Sequence, residues 1–256
     1  MTKLPVIFVD HGSPDRVLED NNMNKQLSIL GKSLNEKIKG IVIISAHLTT
    51  NGTYISSGNK LKTIYDFHGF PDELYSINYD IETDIELINK IQDLLPEAKK
   101  NDSIGIDHGA WTILKKMFPK KDKKIVMISL NMQLSGEDFF KLGTKLKKLR
   151  EDGYLIIGSG GILHNFSELK YSNDTIFEWA KQFNEDIKNL IIKKIFTPII
   201  DYRSLKNSHR AFKTPEHFYP LLIILGTVDK DDGVKYINDN ITLGSLSNNL
   251  IIFGEV

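Results

Sequence analysis

Short apolar runs alternate with amphipathic helical patterns along most of this chain, and this alternation is what most restricts its fold. Runs such as 6–9 and 41–44 consist of Val, Ile and Phe. Such runs are typical of strands that are buried on both faces of a sheet. Between them, residues 23–38 carry apolar side chains three or four positions apart, as on one face of a helix. The pattern predicts an α/β fold in which helices join parallel strands.

The same reasoning assigns the remaining elements. We expect strands over residues 6–9, 41–44, 104–106, 125–130, 154–157 and 250–253, and helices over 23–38, 81–95, 139–149 and 179–191. Residues 49–79 show no period and are expected to form a long loop, and a glycine-rich turn is expected over 158–161. With no repeat or linker visible, residues 1–256 are expected to form a single domain.

The segment from Thr214 to His217 is typical of a helix start. Threonine is a good cap, proline fits the first helical position, and Glu216 adds a carboxylate in the first turn. The apolar run 221–225 that follows leaves a strand possible there.

The composition excludes several classes of site and partner. The chain has no cysteine, which excludes disulfides, thiolate metal sites and cysteine nucleophiles. Its 33 basic and 33 acidic residues give a formal charge of zero, so nothing attracts nucleic acid or anionic lipid from a distance. No signal peptide and no membrane-spanning run is visible. We therefore expect a cytoplasmic monomer or small homo-oligomer without nucleic-acid or membrane partners.

The histidines are placed where ligands bind in such folds. His11, His47 and His108 each follow a predicted strand within three residues, His164 follows the glycine-rich turn, and His217 lies at the predicted helix start. The carboxyl ends of parallel strands line a common crevice. The sequence therefore predicts that these side chains converge. Imidazole is a common ligand of zinc and iron, and the remaining histidines would serve in proton transfer.

Other interpretations remain open at this point. A single strand-end histidine is more often a hydrogen-bonded turn residue than a metal ligand. Asp107, His108 and Ser129 imitate a hydrolase triad, although no G-x-S-x-G elbow is present. His209 is expected at the surface, and His68 has no clear role.

Six motifs together resemble the class III extradiol ring-cleavage dioxygenases of the LigB superfamily, in the branch of the 4,5-DOPA extradiol dioxygenases. The motifs are His11-Gly12-Ser13-Pro14, Ser45-Ala46-His47, Tyr65-Asp66-Phe67-His68-Gly69-Phe70-Pro71, Asp107-His108-Gly109-Ala110-Trp111, His164-Asn165 and Thr214-Pro215-Glu216-His217. The resemblance extends from about residue 5 to the end of the chain. It implies a LigB-like α/β fold, a three-layer sandwich with a mostly parallel central sheet.

The resemblance also implies a mononuclear non-haem Fe(II) site, with zinc in some relatives. His11 and His47 match two ligands, and His217 matches the third, which is a glutamate in protocatechuate-cleaving relatives. Glu216 lies next to it and is therefore the alternative ligand.

The remaining roles follow from the same resemblance. His164 matches the catalytic acid–base and can sit close enough to be a fourth metal ligand, and His108 matches a second active-site histidine. His68 stands where many relatives have Tyr or Gly. The implied activity belongs to aromatic compound metabolism: O2 opens a catechol such as DOPA to a muconate-semialdehyde-type product. The alternatives are a zinc-dependent hydrolase, with Glu216 or Asp107 as base, and a non-catalytic LigB-fold protein.

Overall fold

The computed structural model describes residues 3–171 and 175–256 of the chain. Its strands are β1 (Val6–Asp10), β2 (Gly40–Ser45), β3 (Thr49–Thr50), β4 (Tyr54–Ser56), β5 (Lys60–Leu61), β6 (Ile81–Glu82), β7 (Lys99–Asn101), β8 (Lys124–Met127), β9 (Leu130–Asn131), β10 (Tyr154–Gly160), β11 (Val234–Thr242) and β12 (Leu246–Phe253). Its α-helices are α1 (Asn22–Leu34), α2 (Asp72–Tyr75), α3 (Ile85–Leu94), α4 (His108–Met117), α5 (Gly136–Leu146), α6 (Glu178–Ile192), α7 (Thr197–Ile200), α8 (Ser208–Ala211) and α9 (Tyr219–Thr227). None of the helices in this described part is both long and apolar enough to cross a bilayer.

Six strands form the central sheet, in the order β11-β12-β1-β10-β2-β8. Strands β1, β10, β2 and β8 run parallel, whereas β12 pairs antiparallel with β1, and β11 antiparallel with β12. The mostly parallel α/β sheet that the sequence predicts is therefore confirmed. The carboxyl ends of β1, β10 and β2 lie side by side at one edge.

The core is divided between the two faces of this sheet because successive side chains of a strand point to opposite sides. Val6 and Phe8 of β1 pack with the apolar faces of α3, α5, α6 and α9. Ile7 and Val9 pack on the other side, with α1 and α4. Helices thus cover both faces, which confirms the three-layer sandwich.

The apolar run 221–225 is helical, so the strand considered there is wrong. It lies within α9, and all nine residues of that helix are buried. A helix buried on every side has no polar face and shows no period, so an apolar run alone does not distinguish it from a strand. Ahead of it, Pro215–His217 forms a single 3-10 turn, and the side chain of Thr214 does not cap it.

The glycine-rich turn expected over 158–161 is also wrong for most of its length, because β10 continues to Gly160. The glycines serve close packing instead. A Cβ on Gly158 would lie 2.6 Å from Cγ1 of Ile224, and one on Gly160 would overlap the carbonyl oxygen of His217. Glycine thus lets α9 and the turn before it approach the strand.

The predicted long loop contains short strands and one helix. Within 49–79, β3, β4 and β5 pair outside the main sheet with β9, β7 and β6. Strands of two or three residues are too short to show a period, which is why the sequence does not predict them. The expected strand over 104–106 is reduced to one bridge between Thr63 and Ile106, and the strand over 125–130 is interrupted between β8 and β9.

One helix boundary and one strand also differ from the prediction. The helix expected from residue 81 begins at Ile85, because the side chain of Asp84 accepts a hydrogen bond from the backbone of Leu87 and caps it. Strand β11 was not predicted; it is a polar edge strand containing Asn and Asp, which are uncommon in strands.

Substitution of Gly143 in α5 tests the packing of α5 on α9. A Cβ at this position would overlap the carbonyl oxygen of Ile223. We expect Gly143→Ala to lower the free energy of unfolding by about 1–3 kcal/mol, because the two helices must move apart. Urea denaturation measures the change. Gly233→Ala is the matched control, since a Cβ there would have no neighbour within 4 Å; equal effects of the two changes would contradict the packing explanation.

Candidate metal centre

Five histidines from distant parts of the chain meet at the carboxyl edge of the sheet. His11 directly follows β1, His47 lies two residues after β2, and His164 lies four residues after β10. His108 is the first residue of α4, and His217 ends the turn before α9. The ring of His11 has its centroid 4.9 Å from that of His47, 5.3 Å from that of His217 and 5.6 Å from that of His108.

Three of these residues form a group that could hold a metal ion. Nε2 of His11 and Nε2 of His47 are 3.1 Å apart. His11, His47 and His217 each offer a ring nitrogen such that all three atoms lie within 4.8 Å of one another. Three imidazole ligands and open positions are the arrangement of a catalytic rather than a structural metal site.

The tautomer of His11 follows from its hydrogen bonds. Nδ1 lies 3.0 Å from Oγ of Ser159, and that hydroxyl donates its own proton to the carbonyl oxygen of Gly109 at 2.5 Å. The hydroxyl therefore accepts from His11, so that Nδ1 carries the proton. Nε2 is left with its lone pair, which points toward His47.

Asp66 has the same effect on His47. Its Oδ2 lies 3.3 Å from Nδ1 of His47 and 3.0 Å from Nδ1 of His108, and both approaches are ion-pair contacts rather than directed hydrogen bonds. Asp66 also accepts from the backbone N–H of His108 at 2.9 Å. Burial alone would raise the pKa of Asp66, but these contacts with His108 lower it below its usual value. The carboxylate is thus ionised, and its negative charge favours the tautomer of His47 that carries the proton on Nδ1 and the lone pair on Nε2.

Glu216 orients the third histidine. Its Oε1 lies 3.2 Å from Nδ1 of His217 and accepts the hydroxyl of Thr214 at 2.9 Å. Burial would raise the pKa of Glu216, but these hydrogen bonds outweigh it and lower the pKa to about 2. Nε2 of His217 is buried and has no hydrogen-bond partner among the described residues. The geometry supports His217, with Glu216 behind it, as the candidate ligand.

These residues fit a divalent metal. Two lone pairs face each other at 3.1 Å and a third nitrogen is buried without a partner, which is unfavourable unless a cation lies between them. Burial, followed by repulsion from the neighbouring histidines, lowers the pKa of His11 well below its usual value and that of His47 to about 3. Both rings are therefore neutral at pH 7, as metal ligands must be.

His164 adopts a different arrangement. Its ring stacks on that of His217, with centroids 3.5 Å apart and planes 9° from parallel. Burial, and then the neighbouring His217, lower the pKa of His164 to about 3, so that this ring is also neutral at pH 7. It is not part of the group of three ring nitrogens, and its role as a fourth ligand stays a prediction.

A cavity of about 670 Å³ opens beside the histidines. His11, His47, His108 and His164 line it, together with the aromatic rings of Phe67 and Phe70 among others. Its volume is in the range of small-molecule sites. It therefore offers an apolar wall for an aromatic ring next to a metal centre.

Other candidate residues lie outside this arrangement. His68 and His209 are exposed, as expected for His209. The hydroxyl of Ser129 is bonded to Thr50 and Tyr54, so the described structure does not form the triad considered from the sequence. Asp107 caps α4, accepts the hydroxyl of Ser45 at 2.6 Å, and has its pKa raised to about 6 by burial.

Two residues of the site were missed at the sequence level. Asp66 belongs to a motif but was given no role, and Ser159 was placed in a turn. Their partners are far away in sequence, and only the fold brings them together. The signal for Asp66 was an acidic residue in a loop rich in aromatic residues.

Ser159 is a direct test of how the metal centre is held. We expect Ser159→Ala to weaken metal binding about 10- to 100-fold, because the change removes the group that fixes the tautomer and orientation of His11. Competition with a chelator of known affinity measures the effect. Ser167→Ala is the control, a serine in the turn Phe166–Glu168 whose side chain makes no hydrogen bond with a histidine in the described part of the chain. Unchanged affinity of the Ser159 variant would contradict the assigned tautomer.

Comparisons with known proteins identify the family of the chain. The profile of the LigB family, described as the catalytic LigB subunit of aromatic ring-opening dioxygenase, matches residues 2–251. The 4,5-DOPA dioxygenase extradiol of Escherichia coli K12 is 34% identical over 253 residues, which cover 96% of this chain and 93% of that protein. The protein of the same name from Beta vulgaris is 32% identical over 94% of this chain and 92% of its own length.

A solved structure agrees as well. The crystal structure of an uncharacterized protein from Escherichia coli K12 superposes with a TM-score of 0.85 and 30% identity, covering 98% of this chain and 100% of that one. A family match over nearly the whole chain, together with relatives above 30% identity, shows the family. The chain belongs to the LigB family of aromatic ring-opening dioxygenases.

Proposed function

We propose that this chain is a single catalytic domain that uses Fe(II) and O2 for extradiol cleavage of a catechol such as DOPA, giving a muconate-semialdehyde-type product. His11, His47 and His217 would hold the metal. The observation that carries the proposal is the group of three imidazoles with facing or unpartnered nitrogens. The names of the relatives from Escherichia coli and Beta vulgaris support DOPA as the substrate. We also propose that the enzyme is cytoplasmic.

The metal supplies positive charge that favours the deprotonated catechol, and iron supplies the redox capacity that a reaction with O2 requires. Zinc fits the same imidazole ligands but does not change oxidation state. A zinc-loaded form is therefore expected to bind catechols without opening them.

His164 is the proposed acid–base. Its low pKa leaves it neutral at pH 7, so a ring nitrogen accepts the proton from a catechol hydroxyl and can return it later in the reaction. The stacked ring of His217 holds His164 beside the metal centre. His108 lines the cavity next to His47, with ring centroids 3.9 Å apart, and is placed to contact a substrate oxygen or dioxygen.

The phenyl rings of Phe67 and Phe70 give the cavity an apolar wall. Their centroids are 5.4 Å apart and their planes are nearly perpendicular. The wall favours a flat aromatic substrate and excludes water from one side of it.

The zinc-hydrolase alternative is less well supported because it requires a free carboxylate base. Asp66 faces two histidines and Glu216 lies against His217. Asp107 accepts from Ser45 through Oδ1, and its Oδ2 is buried without a hydrogen-bond partner among the described residues, so Asp107 is the one candidate base that the hydrolase alternative retains.

Oxygen consumption tests the proposal. The protein is stripped of metal and loaded anaerobically with Fe(II) or, as the matched control, with Zn(II). We expect the iron form to consume O2 with DOPA or another catechol and to give a yellow product, and the zinc form to do neither. An iron-loaded protein that consumes no O2 with any catechol contradicts the proposal. Hydrolytic turnover by the zinc form would favour the alternative.

A further inference from the structure

The cavity beside the histidines has a guanidinium group in its wall. Arg16 lies on the 3-10 turn Pro14–Leu18 and lines the cavity together with His11. Its Nη1 donates to the carbonyl oxygen of Asp10 at 2.8 Å, and its Nη2 donates to Oδ1 of Asn248. The positive charge is therefore held against the backbone next to a candidate metal ligand.

Gly12 makes this position accessible to the guanidinium. A Cβ on Gly12 would overlap the Arg16 guanidinium, and its φ of +67° also favours glycine. Because the guanidinium contacts Asp10 on one side and Gly12 on the other, it lies beside His11. A molecule bound at the metal centre therefore meets a positive charge on this side of the cavity.

Arg16 retains hydrogen-bonding capacity. A guanidinium has five N–H donors, and the two hydrogen bonds described above leave Nε and one further N–H on each Nη. Within residues 3–171 and 175–256, no carboxylate oxygen lies within 4.0 Å of it. Asp10 exerts the largest attraction on Arg16, but its carboxylate is turned toward the backbone and side-chain N–H groups of Asn249.

The burial of the Arg16 charge without a close anion favours an anionic ligand. Burial lowers the pKa of Arg16 although several acidic residues oppose the change, and the group nevertheless stays protonated at any ordinary pH. A partly buried cation without a close anion is unfavourable. A carboxylate is the group that a guanidinium binds best, through two parallel N–H···O bonds.

We propose that Arg16 is a specificity-determining residue that binds a carboxylate on the side chain of the catechol substrate. The inference rests on the proposed function, and it defines the substrate class: catechols whose side chain ends in a carboxylate, in preference to neutral catechols of the same size. The ring lies at the metal centre and the side chain extends along the wall that contains Arg16.

Ligand binding to the zinc-loaded protein tests this without turnover. The probes are 3,4-dihydroxyphenylpropionate and its primary amide, which differ only in the carboxylate. Calorimetry gives the Kd of each for the wild-type chain and for Arg16→Gln, Arg16→Lys and Lys25→Gln. Lys25→Gln is the matched control, because it removes one positive charge from an exposed position of α1 that does not line the cavity.

We expect the wild-type chain to bind the carboxylate at least about tenfold more tightly than the amide, the ratio expected for a charge-assisted hydrogen bond. Arg16→Gln should reduce the ratio of the amide Kd to the carboxylate Kd to near one. Arg16→Lys should retain part of the preference for the carboxylate, and Lys25→Gln should leave the ratio unchanged. Zinc content measured for each variant checks that the metal centre is intact.

Three results would overturn the inference: no preference in the wild-type chain, an unchanged preference in Arg16→Gln, or no binding of either probe. Equal weakening of both probes by Arg16→Gln is the second of these results, because it leaves the ratio of the two Kd values unchanged, and it would assign Arg16 a structural role. Failure of the proposed function is a separate result. In that case the iron-loaded protein consumes no O2, while the ratio of the two Kd values in the zinc form still decides the role of Arg16.

Discussion

Replacing His217 with alanine is expected to remove the metal from this protein, and ring-opening activity with it. Nε2 of His217 is buried and unpartnered among the described residues, close to the facing nitrogens of His11 and His47. Its loss leaves two ligands where a catalytic site needs three. We expect metal affinity to fall by more than about 100-fold, beyond the usual effect of removing a residue that only orients a ligand. Elemental analysis after dialysis against a weak chelator measures it.

Two further variants make the result specific. Glu216→Gln keeps the shape of the neighbouring side chain but removes the charge that faces Nδ1 of His217. It should weaken metal binding about 10- to 100-fold and still allow full loading at high metal concentration. His209→Ala, at an exposed position, should bind metal as the wild-type chain does. If Glu216→Gln lost the metal and His217→Ala kept it, the carboxylate would be the ligand.

The convergence of these histidines could be predicted from the sequence because it depends only on strand direction. His11 and His47 follow buried apolar runs, and in a parallel sheet the ends of such runs lie at one edge. The structure places β1 and β2 on either side of β10, in parallel. Strand order was not needed for this prediction, since any parallel arrangement brings the carboxyl ends to the same side.

Other parts of the fold could not be predicted because they depend on contacts between distant segments. Gly158 and Gly160 belong to a strand that α9 and the turn before it approach closely, whereas in sequence two glycines separated by one residue indicate a turn. Residues 221–225 form a helix that is apolar on every side because it is buried on every side. In both cases the local structure is determined by packing against the neighbouring layer of the fold, which the sequence alone does not show.

The orientation of the ligands likewise required the fold. The hydroxyl of Ser159 fixes which nitrogen of His11 carries the proton, and the charge of Asp66 favours the proton on Nδ1 of His47. Neither pairing follows from sequence spacing. From the sequence, the third metal ligand could be narrowed only to His217 or the adjacent Glu216. Hydrogen bonds around the carboxylate, which lower its pKa to about 2, favour an orienting role for it.

Replacing His164 with alanine should abolish turnover and leave the metal bound. A positioned acid–base group contributes about 10²- to 10⁴-fold to a rate, so kcat should fall by that factor while metal content stays at the wild-type level. The pKa of His164, about 3, keeps the ring neutral at pH 7, so one ring nitrogen has a free lone pair. Oxygen consumption by the iron-loaded variant measures the rate, and elemental analysis gives the metal content.

A second substitution separates proton transfer from stacking. His164→Phe retains an aromatic ring that can lie against His217, at the 3.5 Å stacking distance of the imidazoles, but has no nitrogen. If His164 transfers a proton, both variants lose activity to the same extent, and imidazole added to His164→Ala restores part of it. His68→Ala, at an exposed position in the loop that also contains Phe67, should retain wild-type kcat. Recovery of activity in His164→Phe would show that stacking alone matters, and loss of metal in both variants would make His164 a fourth ligand.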